Sequence, residues 1–470
     1  MIQMKDVSFQ YLDSTEGISG IDLTVNDGEC VVFTGPSGGG KTTLTRLING
    51  LAPSYYAGTL TGTIFLNEKP LTQMPQFTVA RQVGSVFQDP KSQFFSSELA
   101  GEVAFACENY GFSAEEIRTR TDDAIASFGL DELRSRNLDM LSSGEKQRVA
   151  IASVYALCPN IYVCDEPTSN LDKNGSEQLA SIFKRLKAEG CTLIIAEHRL
   201  SWLHGIADRF VYVCNGKILW ERNATEMEQL LPEEIEVYGL REIAEKNDRN
   251  IPASTNHTDQ FPALCVKRLA CRRKKAEIFC NINLSAHAGQ ITAITGHNGI
   301  GKTSLALVLS GLWKEKNGQI VVDGRKLNAC ERRKQTWYSS NDTGTQFFTN
   351  SVSEEVLLNI KHSEKHLEKA RNLLKRLGLY RYKDVHPASL SGGQKQRLAI
   401  ACGILSDRTI LIFDEPTSGL DGGNMKIIAD VLREAADQKK VILVITHDDE
   451  LICHCDSVIS IDNYADKIDT

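Results

Sequence analysis

Two lysines carry the most specific chemical signal in this chain. Lys41 closes the run Gly35-Pro36-Ser37-Gly38-Gly39-Gly40-Lys41-Thr42, and Lys302 closes Gly296-His297-Asn298-Gly299-Ile300-Gly301-Lys302-Thr303. Glycines at these spacings let backbone N–H groups wrap phosphate oxygens. The lysine adds positive charge at the β- and γ-phosphates of a nucleotide, and the hydroxyl of Thr42 or Thr303 suits Mg2+. Thr43 and Ser304 follow as further candidate ATP contacts at the start of a helix, whose positive end faces the same phosphates. One such match can arise by chance. Two, each between a β-like run and a helix, are not expected to.

Acidic pairs follow at the ends of apolar strand-like runs. Ile161–Cys164 leads into Asp165-Glu166, and Ile410–Phe413 into Asp414-Glu415. Asp165 and Asp414 are candidate Mg2+ partners, with Glu166 and Glu415 then placed to polarise an attacking water. His198 and His447 each lie 32 residues beyond their glutamate. A lone histidine is usually structural, but a histidine repeated at one spacing is a candidate for catalysis.

The elements that must hold these groups form a duplicated array. Lys302 stands 261 residues after Lys41, whereas Ser391, Glu415 and His447 each stand 249 after Ser142, Glu166 and His198. The second half is thus 12 residues shorter between its lysine motif and its serine-glycine motif. Ile21–Val25 and Cys30–Thr34 read as strands, with a helix at Thr42–Asn49 and further buried strands at Ile161–Cys164 and Thr192–Ala196. The expected fold is α/β: two tandem P-loop nucleotide-hydrolase domains, each a mostly parallel sheet core with a small β region and a helical region. The domains are placed at 1–228 and 263–470. A polar linker at 229–262 includes Pro232-Glu233-Glu234-Ile235-Glu236 and Lys246-Asn247-Asp248-Arg249-Asn250.

With the serine-glycine runs Leu141-Ser142-Ser143-Gly144-Glu145 and Leu390-Ser391-Gly392-Gly393-Gln394 and the repeated Asp-Glu-Pro-Thr-Ser, the chain resembles the ABC transporter ATPases over nearly its whole length. The resemblance implies a head-to-tail pairing of the halves around two ATP molecules. Site one would use Lys41, Thr42, Gln88, Asp165, Glu166 and His198, completed by Ser391, Gly392 and Gly393. Site two would use Lys302, Thr303, Asn341, Asp414, Glu415 and His447, completed by Ser142, Ser143 and Gly144. Gln88 would also face Mg2+, Tyr11 would stack on adenine, and the loops 169–172 and 418–421 would be contacts between halves. The segments Val86-Phe87-Gln88-Asp89-Pro90-Lys91-Ser92-Gln93-Phe94-Phe95 and Ala196-Glu197-His198-Arg199-Leu200 look like ATPases of energy-coupling-factor importers. That narrower resemblance implies a transmembrane coupling protein and a substrate-capture membrane protein as partners, a place on the cytoplasmic face of the membrane, and a vitamin, precursor or metal ion as cargo.

The halves are not equal. Counting back by the offset of 261 puts Arg272 opposite Tyr11, and anchoring on Gln346-Phe347-Phe348 puts Asn341, one methylene shorter, opposite Gln88. A slower second site is expected.

Bulk properties narrow the alternatives. A length of 470 residues suits about two to four domains. Net charge of −7 argues against a broad non-specific nucleic-acid surface. Apolar runs fall short of the roughly 18 residues of a membrane span, and the N-terminus has no signal-peptide core, so a membrane role is expected through a partner. Of the 13 cysteines several, Cys30, Cys164 and Cys214, sit in apolar strand-like runs, and they read as buried reduced thiols. Cys453-His454-Cys455 has no second half-site at metal-ligand spacing. The alternatives are a double-ABC factor acting on ribosomes, which would usually carry a long charged helical arm between halves, and a conventional ABC transporter ATPase.

Overall fold

The computed structural model describes residues 1–12, 16–169, 171–243, 261–273, 276–358 and 363–462. The chain forms two compact units, residues 1–245 with 421–423, and residues 246–420 with 424–470.

In the first unit, fully apolar runs make a central sheet. Its strand order is Lys217–Asn223, Arg209–Cys214, Cys30–Thr34, Thr192–Ala196, Ile161–Asp165 and Val83–Val86. All neighbours pair in parallel except the edge strand Lys217–Asn223. Strands such as Cys30–Thr34 and Thr192–Ala196 are buried at every position, which is why they lack polar alternation: helices cover both faces. A separate antiparallel sheet runs Gly17–Val25, Ile2–Tyr11, Gly58–Leu66 and Lys69–Pro70. The second unit repeats the plan, with a parallel sheet ordered Thr336–Ser339, Ile410–Asp414, Val441–Ile445, Ile291–Thr295 and Ser457–Ser460. Its antiparallel sheet runs Ala276–Ala286, Leu264–Arg273, Asn317–Val322 and Arg325–Lys326.

The first unit extends beyond residue 228, where the sequence reading ended it. A helix at Pro232–Val237 follows, and Leu240 and Ile243 are buried in the first unit's core. Tyr238 lies 5.3 Å from the rings of both Tyr212 and Trp220, and the Tyr212 hydroxyl donates to the Tyr238 carbonyl at 2.7 Å. This aromatic group, not visible from polarity alone, holds the segment in the domain. The run Lys246–Asn250 lies outside the described residues.

The 12-residue shortening is distributed. The offset is 261 at the lysine loops, 256 at the paired strand ends Leu66 and Val322, 253 at Gln88 and Asn341, and 249 at Ser142 and Ser391. In the first unit Tyr55 and Tyr56 follow a short helical turn at Leu51–Ser54. The second has the shorter run Gly311-Leu312-Trp313 before its strand at 317.

Candidate functional site

Each lysine loop joins a buried central strand to a helix, Lys41–Ile48 in the first unit and Lys302–Leu309 in the second. Gly40 and Gly301 precede these helices at φ 112° and 103°, a region that side chains rarely tolerate. At Gly35 a Cβ would lie 2.2 Å from the Val213 carbonyl oxygen, so only glycine lets the loop pass that strand. Lys41 is buried, and its Nζ donates to the carbonyls of Gly35 and Pro36, both at 3.0 Å. Lys302 does the same with Gly296 at 2.5 Å and His297 at 3.0 Å. Burial pushes the Lys41 ammonium below its usual range. A desolvated cation in a glycine-rich loop at the start of a helix is what an anionic phosphate chain fits.

Next to each lysine, the predicted hydroxyl and acid meet. Thr42 Oγ1 donates to Asp165 Oδ1 at 3.2 Å, and Thr303 Oγ1 to Asp414 Oδ2 at 2.7 Å. Burial raises both aspartates, opposed by those threonine hydrogen bonds. In the first unit this pair borders a cleft of about 240 Å³, also lined by Gln88, Asn49, Tyr56 and Arg46. Hydroxyl, carboxylate and amide oxygens are a hard donor set, which fits Mg2+.

Glu166 and Glu415 follow at φ 45° and 49°, left-handed values that are strained for a glutamate. Their N–H groups donate to the carbonyls of Ala196 and Ile445 on the neighbouring strands, at 2.8 and 2.9 Å. Gln88 Nε2 donates to Glu166 Oε2 at 2.6 Å, and His198 Nε2 lies 3.5 Å from Glu166 Oε1. Burial, then the Asp165 charge, lifts the Glu166 carboxyl well above its ordinary value, while burial drives His198 well below its own. In the second unit His447 Nε2 lies 3.1 Å from Asn298 Oδ1 and 3.8 Å from Glu415 Oε1. Asn341 is exposed.

Two supports were not singled out from sequence. Glu197 accepts from Thr168 Oγ1 at 2.6 Å and from the N–H groups of His198 and Arg199, tying the histidine loop to the Asp-Glu-Pro-Thr loop. Asp448 accepts from Thr417 Oγ1 at 2.6 Å in the second unit. An acid beside each histidine, before it in one half and after it in the other, was the available signal.

The serine-glycine runs open helices at Ser143–Tyr155 and Gly392–Leu405. Ser142 and Ser391 cap them, accepting from Glu145 and Gln394, whose side chains reach back to the serine N–H groups. Both runs thus carry the Ser-x-x-Glu/Gln pattern of a capping box, which leaves Ser143, Gly144, Gly392 and Gly393 on the first turn.

Tyr11 ends its strand with its hydroxyl 3.3 Å from Thr43 Oγ1 and 3.1 Å from Arg46. The residue opposite it is Arg273, one beyond the Arg272 expected by counting. Ile2 pairs with Val25 and Leu66, and Leu264 pairs with Ala286 and Val322, which fixes an offset of 262 on that strand. The connection to the next strand is one residue shorter in the second half, and that loss separates 262 from 261. The Arg273 guanidinium sits 3.9 Å from the centre of the Trp313 ring, as Arg46 does over Tyr56. Of the expected contact loops, Asn170 lies outside the described residues.

The sequence profile of the family described as ABC transporter matches residues 18–169 and 279–418. A Treponema denticola (strain ATCC 35405) protein named "Putative ABC transporter ATP-binding protein" is 39% identical over 457 residues, covering 96% of this chain and 93% of that one. The "Putative HMP/thiamine import ATP-binding protein YkoD" of Bacillus subtilis (strain 168) is 31% identical over 488 residues, covering 98% and 89%. Among solved structures, one titled RNase-L Inhibitor superposes with a TM-score of 0.63 at 20% identity, over 97% of this chain and 88% of its own, a likeness of fold alone.

Proposed function

This chain belongs to the ABC transporter family as a fused double ATPase, and on that premise we propose that it energises import of a small molecule through a separate membrane protein. The observation that carries the reading is the pair of complete lysine, acid and histidine sets, in a chain similar over 98% of its length to a protein named for HMP/thiamine import. Among the described residues no helix is long and apolar enough to cross a membrane.

In the proposed mechanism the lysine loops, Gly35–Thr43 and Gly296–Ser304, cradle the ATP phosphates. Tyr11 packs on the base in the first half. Thr42 with Asp165 and Gln88, and Thr303 with Asp414, would hold Mg2+, which supplies charge neutralisation at the β- and γ-phosphates. Glu166 and Glu415 accept a proton from the attacking water. The raised Glu166 carboxyl is compatible with that task, because a carboxylate whose pKa is lifted by burial is a stronger base than an ordinary one. Neutral His198 and its counterpart His447 donate to the γ-phosphate. The cross-half completion by Ser391–Gly393 and Ser142–Gly144 expected from the family is part of this reading, so turnover follows closure of the halves.

The partners proposed are those of energy-coupling-factor systems, a transmembrane coupling protein and a substrate-capture protein, with this subunit peripheral on the cytoplasmic face. Substituting both Glu166→Gln and Glu415→Gln is expected to retain ATP and abolish turnover, with the trapped nucleotide holding the halves together. Normal hydrolysis by that variant would remove both glutamates from their role. Co-purification with a membrane protein from detergent-solubilised membranes supports import, whereas pelleting with ribosomes supports the alternative.

A further inference from the structure

Three positions before the amide residue the halves differ in a way the motifs do not explain. Ser85 pairs with Val163 and Tyr338 with Ile412, each two residues before its aspartate, so the two occupy the same place on the sheet. The Tyr338 hydroxyl donates to Asp414 Oδ2 at 3.3 Å, and Thr303 Oγ1 donates to the same oxygen at 2.7 Å. Asp414 is only 3% exposed, and the Tyr338 ring packs against the second unit's apolar core.

The two halves brace their acidic pairs through different side chains. In the first half the long Gln88 amide reaches the acidic pair from the loop, at 2.6 Å from Glu166. In the second half that amide is the shorter, exposed Asn341, and a phenol reaches the pair from the strand itself. A phenol is stiff, with few rotatable bonds, and its core-packed ring fixes where its hydroxyl points. Two donors on Oδ2 hold the Asp414 carboxylate in one orientation and leave Oδ1 for a cation. Groups that orient a ligating carboxylate in this way are typically worth about 10–100-fold in metal affinity.

We propose that Tyr338 is a positioning residue of the second nucleotide site, ordering Asp414 for Mg2+ in the half where the amide of Asn341 is one methylene shorter than that of Gln88. The inference rests on the Mg2+-ATP reading given above.

The test uses the full-length chain with Lys41→Ala, so that a fluorescent mant-ATP probe reports the second half. Tyr338→Phe keeps the ring and removes the hydroxyl. It is expected to raise the Mg2+ concentration needed for half-maximal probe binding by about tenfold, leaving binding in EDTA and the melting temperature unchanged. An unchanged Mg2+ requirement overturns the proposal, and so does a lower one, which would make the phenol a competitor. A parent protein whose probe binding ignores Mg2+ would overturn the Mg2+-ATP reading of this half as well, which separates the two failures. A transplant does not depend on how Tyr338→Phe folds. With Lys302→Ala reporting the first half, Gln88→Asn is expected to raise its Mg2+ requirement, and adding Ser85→Tyr to restore it; no restoration counts against the proposal.

Discussion

At the scale of the residue, Glu166 carries a cost to the fold. It is a carboxyl in a left-handed backbone conformation, buried beside Asp165, with its pKa raised by that burial. A carboxyl whose folded pKa exceeds its unfolded value binds more protons folded than unfolded. Stability is therefore lost as pH rises from the ordinary glutamate range, about 4.5, through the raised value. Glu166→Gln removes that loss. The variant is expected to melt higher than the parent at pH 7.5, by about 2–4 °C for each kcal/mol recovered, with the difference shrinking toward pH 4.5. Thermal melts of both proteins across that range check it, and a pH-independent difference would remove the electrostatic cause. Kinetically, the exposed Asn341 leads us to expect Glu166→Gln to lower single-turnover ATPase more than Glu415→Gln does. Asn341→Gln is expected to raise the rate of the second site or leave it unchanged. Equal rates at the two sites would make Asn341 a neutral variant.

At the scale of the element, the loops after Gln88 and Asn341 show what was legible and what was not. Four aromatics follow the two amide residues, Phe94, Phe95, Phe347 and Phe348. The structure divides them: Phe94 and Phe347 pack against their cores, while Phe95 is 76% and Phe348 82% exposed. Phe95 stacks on Phe105 at 4.9 Å. Two buried glutamates fix these loops. Glu102 Oε2 accepts from the N–H groups of Phe95 and Ser96, both at 2.8 Å, and Glu355 Oε2 accepts from those of Phe348 and Thr349, both at 2.9 Å. The common spacing of seven residues from each phenylalanine to its glutamate was available in the sequence, but its use depends on a helix folding back over the loop. The phosphate loops and acidic pairs were readable because their chemistry is local to a few residues. Arg273 and the segment 229–243 were not, since a shortened hairpin and an aromatic stack are settled by pairing across the chain. On the proposed import reading, the exposed Phe95 is a docking contact for the membrane partner, so Phe95→Ser is expected to weaken its capture with ATP binding and melting temperature retained. Phe94→Ser should instead destabilise the first unit, by less than the about 3–5 kcal/mol of a fully buried phenylalanine because Phe94 is half-buried. Glu102→Ala, which strands two N–H groups, is expected to weaken capture too and to lower stability by about 1–3 kcal/mol for each stranded group. Undiminished capture by Phe95→Ser would remove this loop from the docking surface.

At the scale of the whole molecule, the two units each hold their own apolar cores, built entirely from their own strands and helices. Each therefore has the means to fold alone. What the covalent joint adds is concentration. If turnover needs both halves, as the proposed mechanism holds, tethering turns their meeting from a bimolecular event into an intramolecular one, at an effective concentration on the order of millimolar. Cutting the chain between 245 and 246 and producing the pieces separately tests this. Each piece is expected to melt cooperatively and to bind ATP. Mixed at about 1 µM, far below that effective concentration, the pieces are expected to hydrolyse ATP at least about tenfold more slowly per pair than the intact chain. Their specific rate should climb with concentration, whereas that of the intact chain should stay flat over the same range. A specific rate for either piece alone that matches the intact chain and ignores concentration would mean that hydrolysis is completed within one half. The serine-glycine helices Ser143–Tyr155 and Gly392–Leu405 would then have to act on the nucleotide of their own unit or on none.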